Sequence, residues 1–321
     1  MRRIIVVNFL EIERTKNYNG SMNNGFIEIK KNKLRVIFHP LGAAIYAIYF
    51  DNEIMTVTPE SIDDFLKENI YHGKTIGPVC GRVKDGVLNI DGVDYQYIKN
   101  EGNNALHGGK DGLSTKMFDY VLKNDGVKFF LEDEINKYLV KYTLNDDDSL
   151  LLEFDVESKK KNPIALTNHS YFCLGEENLN SLTLKINANK FIEVDSHDMI
   201  PLKERDILPC LDFNKGKLIK KDIDDEYLQK SATKGFDHSL IFNGKPLITI
   251  SNEKYQLDIT TSFDAVQIYS DNYKDGVKMI NSPNKFHRGI AIEPQDNQLK
   301  RKVKDGVYHR YIKYQFKNAT R

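Results

Sequence analysis

The most constraining feature of this 321-residue chain is a two-residue alternation, repeated along its length and broken by short polar turns. It is clearest at Leu150–Val156, where Leu152, Phe154 and Val156 share one face and Glu153, Asp155 and Glu157 take the other. Side chains alternate across a strand, so this pattern is that of a half-buried antiparallel strand. Tyr138–Leu144 precedes it across an Asn-Asp-Asp-Asp turn. Phe26–Lys30, Leu34–Phe38 and Ala44–Phe50 have the same β-branched and aromatic character. Val87–Ile90 and Tyr95–Ile98 flank Asp91-Gly92, and Tyr120–Lys123 and Val127–Leu131 flank Asn124-Asp125-Gly126. Asp-Gly tolerates the positive φ of tight hairpin turns. A further hairpin is expected from Leu247–Ile250 with Tyr255–Thr260, and a closing strand at Val307–Phe316.

Helix signals are sparse. Thr58-Pro59-Glu60-Ser61 predicts a helix over Ile62–Asn69, and a second short one is expected at Asp222–Lys230. Strands do not alternate with long helices, which argues against doubly wound and TIM architectures. Neither G-x-G-x-x-G opening a helix nor G-x-x-x-x-G-K-[ST] occurs. The expectation is one all-β domain over residues 25–321, either a large sandwich or several packed sheets. Residues 1–24 read as a native tail or a vector-derived leader around Gly20-Ser21-Met22. Their apolar run Ile4–Val7 is short, is interrupted by Asn8 and lacks a small-x-small cleavage motif, so export is not expected.

Charge narrows the function. Lys plus Arg and Asp plus Glu both number 46, so there is no basic surplus for a nucleic-acid backbone. No apolar run approaches the ~20 residues of a membrane helix. Cys80, Cys173 and Cys210 are too few and too scattered for a disulfide framework. A cytoplasmic protein acting on a small neutral molecule, with no nucleic-acid or membrane partner, is expected.

Three clusters place polar groups in apolar or glycine-rich settings. In Asn103-Asn104-Ala105-Leu106-His107-Gly108-Gly109, two glycines let the backbone bend beside an accessible imidazole. In Ile164–Phe172, the run Thr167-Asn168-His169-Ser170 interrupts an apolar strand. Buried polar groups cost a few kcal/mol unless paired, so this run needs a partner network or a ligand. In Gly289–Gln295, Glu293 follows three apolar residues and precedes a proline. Arg82 and Asp237 are further candidates. A carboxylate as base and a histidine as acid, with Arg, Asp, Asn and Gln nearby, suit proton transfer on a polyol. His107 and His169 have no third metal ligand at a telling spacing, so no metal is expected. Neither Ser170 nor Ser239 lies in a nucleophile elbow.

In this order, the clusters resemble the aldose 1-epimerase (galactose mutarotase) family over Gly25 to Lys317. Leu166–Phe172 resembles its L-T-N-H-S-Y-F, Asn104–Gly109 its N-x-L-H-G-G, and Ile292–Gln295 its L-E-P-Q. Gly235–His238 and Val266–Tyr269 also match. The resemblance implies a galactose mutarotase-like β-supersandwich with a few short helices and an open sugar cleft. It implies that Glu293 takes the anomeric proton and His169 protonates the ring oxygen. His107 would orient the sugar, while Arg82, Asp237, Gln267 and Asn104 would bind hydroxyls. No cofactor is implied, and a monomer or homodimer is expected.

The chain departs from the family pattern in places. Where the family has G-R-x-x-N-R, Pro78 and Gly81 replace an Arg and an Asn. An aromatic position, often Trp, falls by spacing on Phe118, and the chain has no tryptophan. Three other readings remain open: a hexose-6-phosphate 1-epimerase, a non-catalytic sugar-binding protein, and a glycosidase using Asp237 and Glu293.

Overall fold

A computed structural model describes residues 25–283 and 285–319, so the expectation for residues 1–24 lies outside the described residues. The alternating segments become antiparallel strands, and two sheets dominate. One has nine strands, in the order Asp119–Lys123, Gly126–Glu132, Asn136–Leu144, Ser149–Pro163, Val303–Asn318, Tyr255–Thr261, Leu247–Ser251, Thr183–Ile186 and Lys217–Leu218. The other has six, in the order Tyr171–Phe172, Ile290–Gln295, Ala265–Tyr269, Asp237–Phe242, Ala188–Val194 and Pro201–Asp206. A four-stranded sheet, Ile27 to Ile54, covers one side. One hydrophobic cluster joins all three, through Val36 and Phe38, Leu152 and Phe154, and Ile268 and Ile292. The architecture is the expected mostly-β one.

The turn chemistry sets the registers. Asp91 and Gly92 both have positive φ, at 52° and 82°. Ile90 therefore pairs directly with Val93, and the second strand is Val93–Gln96, earlier than Tyr95–Ile98. In the Ser149–Pro163 strand, Leu152, Phe154 and Val156 are fully buried as their spacing predicts. Asp155 on the opposite face is buried as well, held by Lys141 at 3.1 Å and His309 at 2.7 Å.

The helices are shorter than their start signals suggest. Ser61 caps a single turn, Ile62–Phe65, accepting from the Asp64 N–H at 3.1 Å. Phe65 then packs beside Leu41 and Ala44, and the chain leaves the helix. The second is Glu226–Gln229, capped by Asp225. Among the described residues, no helix is long and apolar enough to cross a membrane.

Candidate active site

The floor of the site is one face of the six-stranded sheet. Strand register aligns Ile192, Ser239, Gln267 and Glu293 in one row across four neighbouring strands. The next row is Asp237, Tyr269, Ala291 and Tyr171. Neighbouring strands lie ~4.8 Å apart, so each row presents side chains at close, regular intervals. The alternate residues Phe191, Leu240, Ile268 and Ile292 belong to the hydrophobic core.

Above this floor lies a cavity of about 330 Å³, at the small end of the range for small-molecule sites. Of the seven residues singled out in the sequence, Arg82, His107, His169, Asp237, Gln267 and Glu293 line it. Asn104 does not. It is buried, and its Oδ1 accepts from the Asp85 N–H at 3.1 Å, so it ties the Lys84–Gly86 turn to the His107 loop and lies outside the cavity lining. Phe118, the spacing-matched aromatic, packs in the hydrophobic core instead. The aromatic lining is Tyr71, Tyr171, Tyr269 and Tyr273.

Two loops bring the histidines in. His107 has a φ of 56°, and the following glycines have 89° and 73°. A Cβ at Gly108 would lie 2.1 Å from the Gly77 carbonyl oxygen, which is why the tight bend needs glycine there. The Gly81 N–H donates to His107 Nδ1 at 3.3 Å, leaving the imidazole proton on Nε2. In the second loop, Thr167 Oγ1 donates to the Pro294 carbonyl and Asn168 Nδ2 to the Gly73 carbonyl, both at 2.7 Å. Ser170 Oγ donates to Asn168 Oδ1 at 2.6 Å. These three polar residues form the partner network and hold the loop, while His169 faces the cavity.

His169 Nε2 lies 3.4 Å from Glu293 Oε1. The His107 and His169 rings meet edge to face, 5.2 Å apart. Burial pushes the Glu293 carboxyl well above its usual range; Asp237 adds to this and Arg82 opposes it. Burial pushes His169 down to about 4 and His107 well below its ordinary value. His107, His169 and Glu293 each offer a ligand atom within 4.8 Å of the others. The fold thus supplies the third ligand-type group that sequence spacing lacked, and the donor set is compatible with zinc.

Arg82 makes a bidentate pair with Glu101, at 2.8 and 2.9 Å, and lies 3.6 Å from Asp237. Gln267 Nε2 donates to Asp237 Oδ1 at 2.6 Å. Farther out, Arg288 is fully buried between Asp271 and Asp275, fixing the loop that carries Tyr273 and Lys274 to the rim. Tyr71, Tyr273, Met199 and Gln298 were not legible as lining residues. They have no motif of their own and reach the cavity only through the fold.

A small cavity that brings a buried His–Glu pair together with Arg, Asp and Gln side chains is suited to proton transfer on a polyol. The profile of the aldose 1-epimerase family matches residues 26–299, and the chain belongs to that family. Galactose mutarotase of Bos taurus is 27% identical over 255 residues, covering 74% of this chain and 73% of the relative. Aldose 1-epimerase of Haemophilus influenzae is 29% identical over 257 residues, covering 73% and 74%. The solved aldose epimerase homologue from C. elegans superposes with a TM-score of 0.79 at 26% identity, covering 92% of this chain and 99% of that one.

Proposed function

We propose that the chain interconverts the α and β anomers of a free aldohexose, galactose or glucose, by acid–base ring opening and closure. The observation that carries this reading is the 3.4 Å contact between buried His169 and Glu293 within a cavity also lined by Arg82, Asp237 and Gln267. Burial favours the pair's one proton on Glu293, so the reactive form is the one in which it has passed across the 3.4 Å contact to His169. The Glu293 carboxylate so formed takes the proton of the anomeric hydroxyl. The O1 electron pair closes to the C1 carbonyl, the bond from C1 to the ring oxygen breaks, and imidazolium His169 gives that oxygen its proton. Rotation about C1–C2 and the reverse steps give the other anomer. The pair holds one proton throughout, so no net proton is gained or lost. His107 donates from Nε2 and orients the ring oxygen, while Arg82, Asp237 and Gln267 hold hydroxyls on the floor.

The charge of the lining supports a neutral substrate. Glu101, Asp237, Asp271, Asp275 and Glu293 line the cavity against Arg82 and Lys274. Arg82 is already matched by Glu101 and Asp237. A hexose phosphate would bring its charge into an acidic cavity. We place the enzyme in the cytoplasm, since its three cysteines are free and buried, and propose a monomer or homodimer. Polarimetry on freshly dissolved α-galactose and α-glucose tests the reading. Rapid mutarotation by the wild type is expected, with near-complete loss in Glu293→Gln. Wild-type rates in that variant would remove Glu293 as the base.

A further inference from the structure

We infer that Gln298 forms a hydroxyl-binding subsite for the sugar, with its side-chain amide seated in the space left by the missing side chain at Gly81. This rests on the epimerase reading and names a sugar contact from a segment outside the matched motifs.

Gln298 lines the cavity and is half-buried there. Its amide presses on Gly81. A Cβ at position 81 would lie 2.8 Å from Gln298 Nε2 and 3.0 Å from its Oε1, too close for a larger residue unless the amide moved. Gly81 also has a φ of 74°, so glycine at this position both opens the space and permits the bend. Among the described residues, no hydrogen bond takes up the Gln298 amide. An amide with two donors and an acceptor, facing a cavity without a protein partner, is set up for hydroxyls.

The segment that presents Gln298 is fastened on both sides. Asn297 is buried; its N–H donates to Asp264 at 2.8 Å and its side-chain amide to Glu204 at 3.0 Å. Arg301 donates to the carbonyls of Cys80 and Arg82, the two residues flanking Gly81. Cys80 Sγ meets Gln295 Oε1 at 2.9 Å, and the buried Gln295 Nε2 in the cavity wall has no hydrogen-bond partner among the described residues. The stretch 295–301 is therefore zipped to 80–82, and Gln298 is held where the Gly81 N–H meets His107. The amide lies against the stretch that carries Gly81 and Arg82, in the cavity that His107, His169 and Glu293 also line. The amide missing at position 81 is returned to the site from position 298.

The test pairs Gln298→Ala with a panel of single-deoxy galactoses, read by polarimetry and by calorimetric binding. A neutral hydrogen bond predicts an increase of about two- to tenfold in KM and Kd for galactose in the variant, with kcat and its pH profile unchanged. For the one deoxy sugar that lacks the hydroxyl met by Gln298, wild type and variant should bind alike. Gly81→Ala should reproduce the loss by displacing the amide. An unchanged Kd for galactose in Gln298→Ala, or an equal loss across every deoxy sugar, overturns the subsite. Absence of mutarotation in the wild type would instead sink the epimerase reading, leaving the binding isotherms to decide the subsite.

Discussion

His169 Nε2 and Glu293 Oε1, 124 residues apart in the chain, stand 3.4 Å from each other in a cavity that covers both. Groups that share one proton act as a unit. Single replacements, Glu293→Gln or His169→Gln, should each lower kcat by about 10²- to 10⁴-fold. The double variant should cost little more than the worse single one. Fully multiplicative losses, measured by initial-rate polarimetry, would show that the two groups act independently.

The pH–rate profile should be a bell belonging to the pair. Burial lowers His169 to about 4 and raises Glu293 well above the carboxylate range. The one-proton form then extends from near 4 up past the ordinary carboxylate pKa. Activity should fall at low pH as the pair gains a second proton, and at high pH as it loses its last one. An acid limb near 6.5, the value of a free imidazole, would contradict the buried pair.

His72 offers a stability test. It is buried, among the described residues neither ring nitrogen has a hydrogen-bond partner, and its ring stacks on Tyr171 at 4.2 Å. Burial pushes its pKa well below the ordinary value, as it does for His107, His169 and His238. The unfolded chain binds these protons first, so stability should fall as pH drops below about 6.5. The raised carboxyls of Asp237 and Glu293 act in the opposite direction and offset part of this. His72→Phe keeps the stack and removes two unpaired polar atoms, so it should stabilise the protein by about 1–2 kcal/mol at pH 7. It should also flatten the acid slope. Thermal melts at pH 7 and pH 5 read both effects, and destabilisation at pH 7 would show that the ring nitrogens are satisfied.

Chelation separates proton chemistry from metal chemistry. The donor set of His107, His169 and Glu293 is compatible with a divalent cation. If the pair works by proton transfer, exhaustive EDTA treatment should leave mutarotation at its starting rate, and micromolar zinc should inhibit by occupying the same nitrogens. Activity lost on chelation and restored by zinc would assign the step to a metal-bound group.

The sequence carried most of the sheet and the three residues that meet in the cavity, for a physical reason. Leu152, Phe154 and Val156 alternate because one face is buried, and Asp91-Gly92 is needed where two successive residues take positive φ. His107, His169 and Glu293 stand out because each sits among residues that would otherwise be apolar or glycine. Edge strands were less legible. Pro201–Asp206, an edge of the six-stranded sheet, is charged from Lys203 to Asp206 and shows no alternation. The wall was not legible either. Tyr71 and Gln298 carry no local signal, and Asn104, expected to bind hydroxyls, is spent on a backbone turn outside the cavity lining. Long-range convergence, not local pattern, decides which of several polar residues meets a ligand.

The two-row floor has a consequence for how such an enzyme changes over time. Along one strand, Gln267 and Tyr269 line the cavity while Val266 and Ile268 face the core. Selection for a new sugar can act on one register of positions, while selection for folding acts on the interleaved one. The strand is in effect two texts written in alternate letters, and either can be revised without erasing the other.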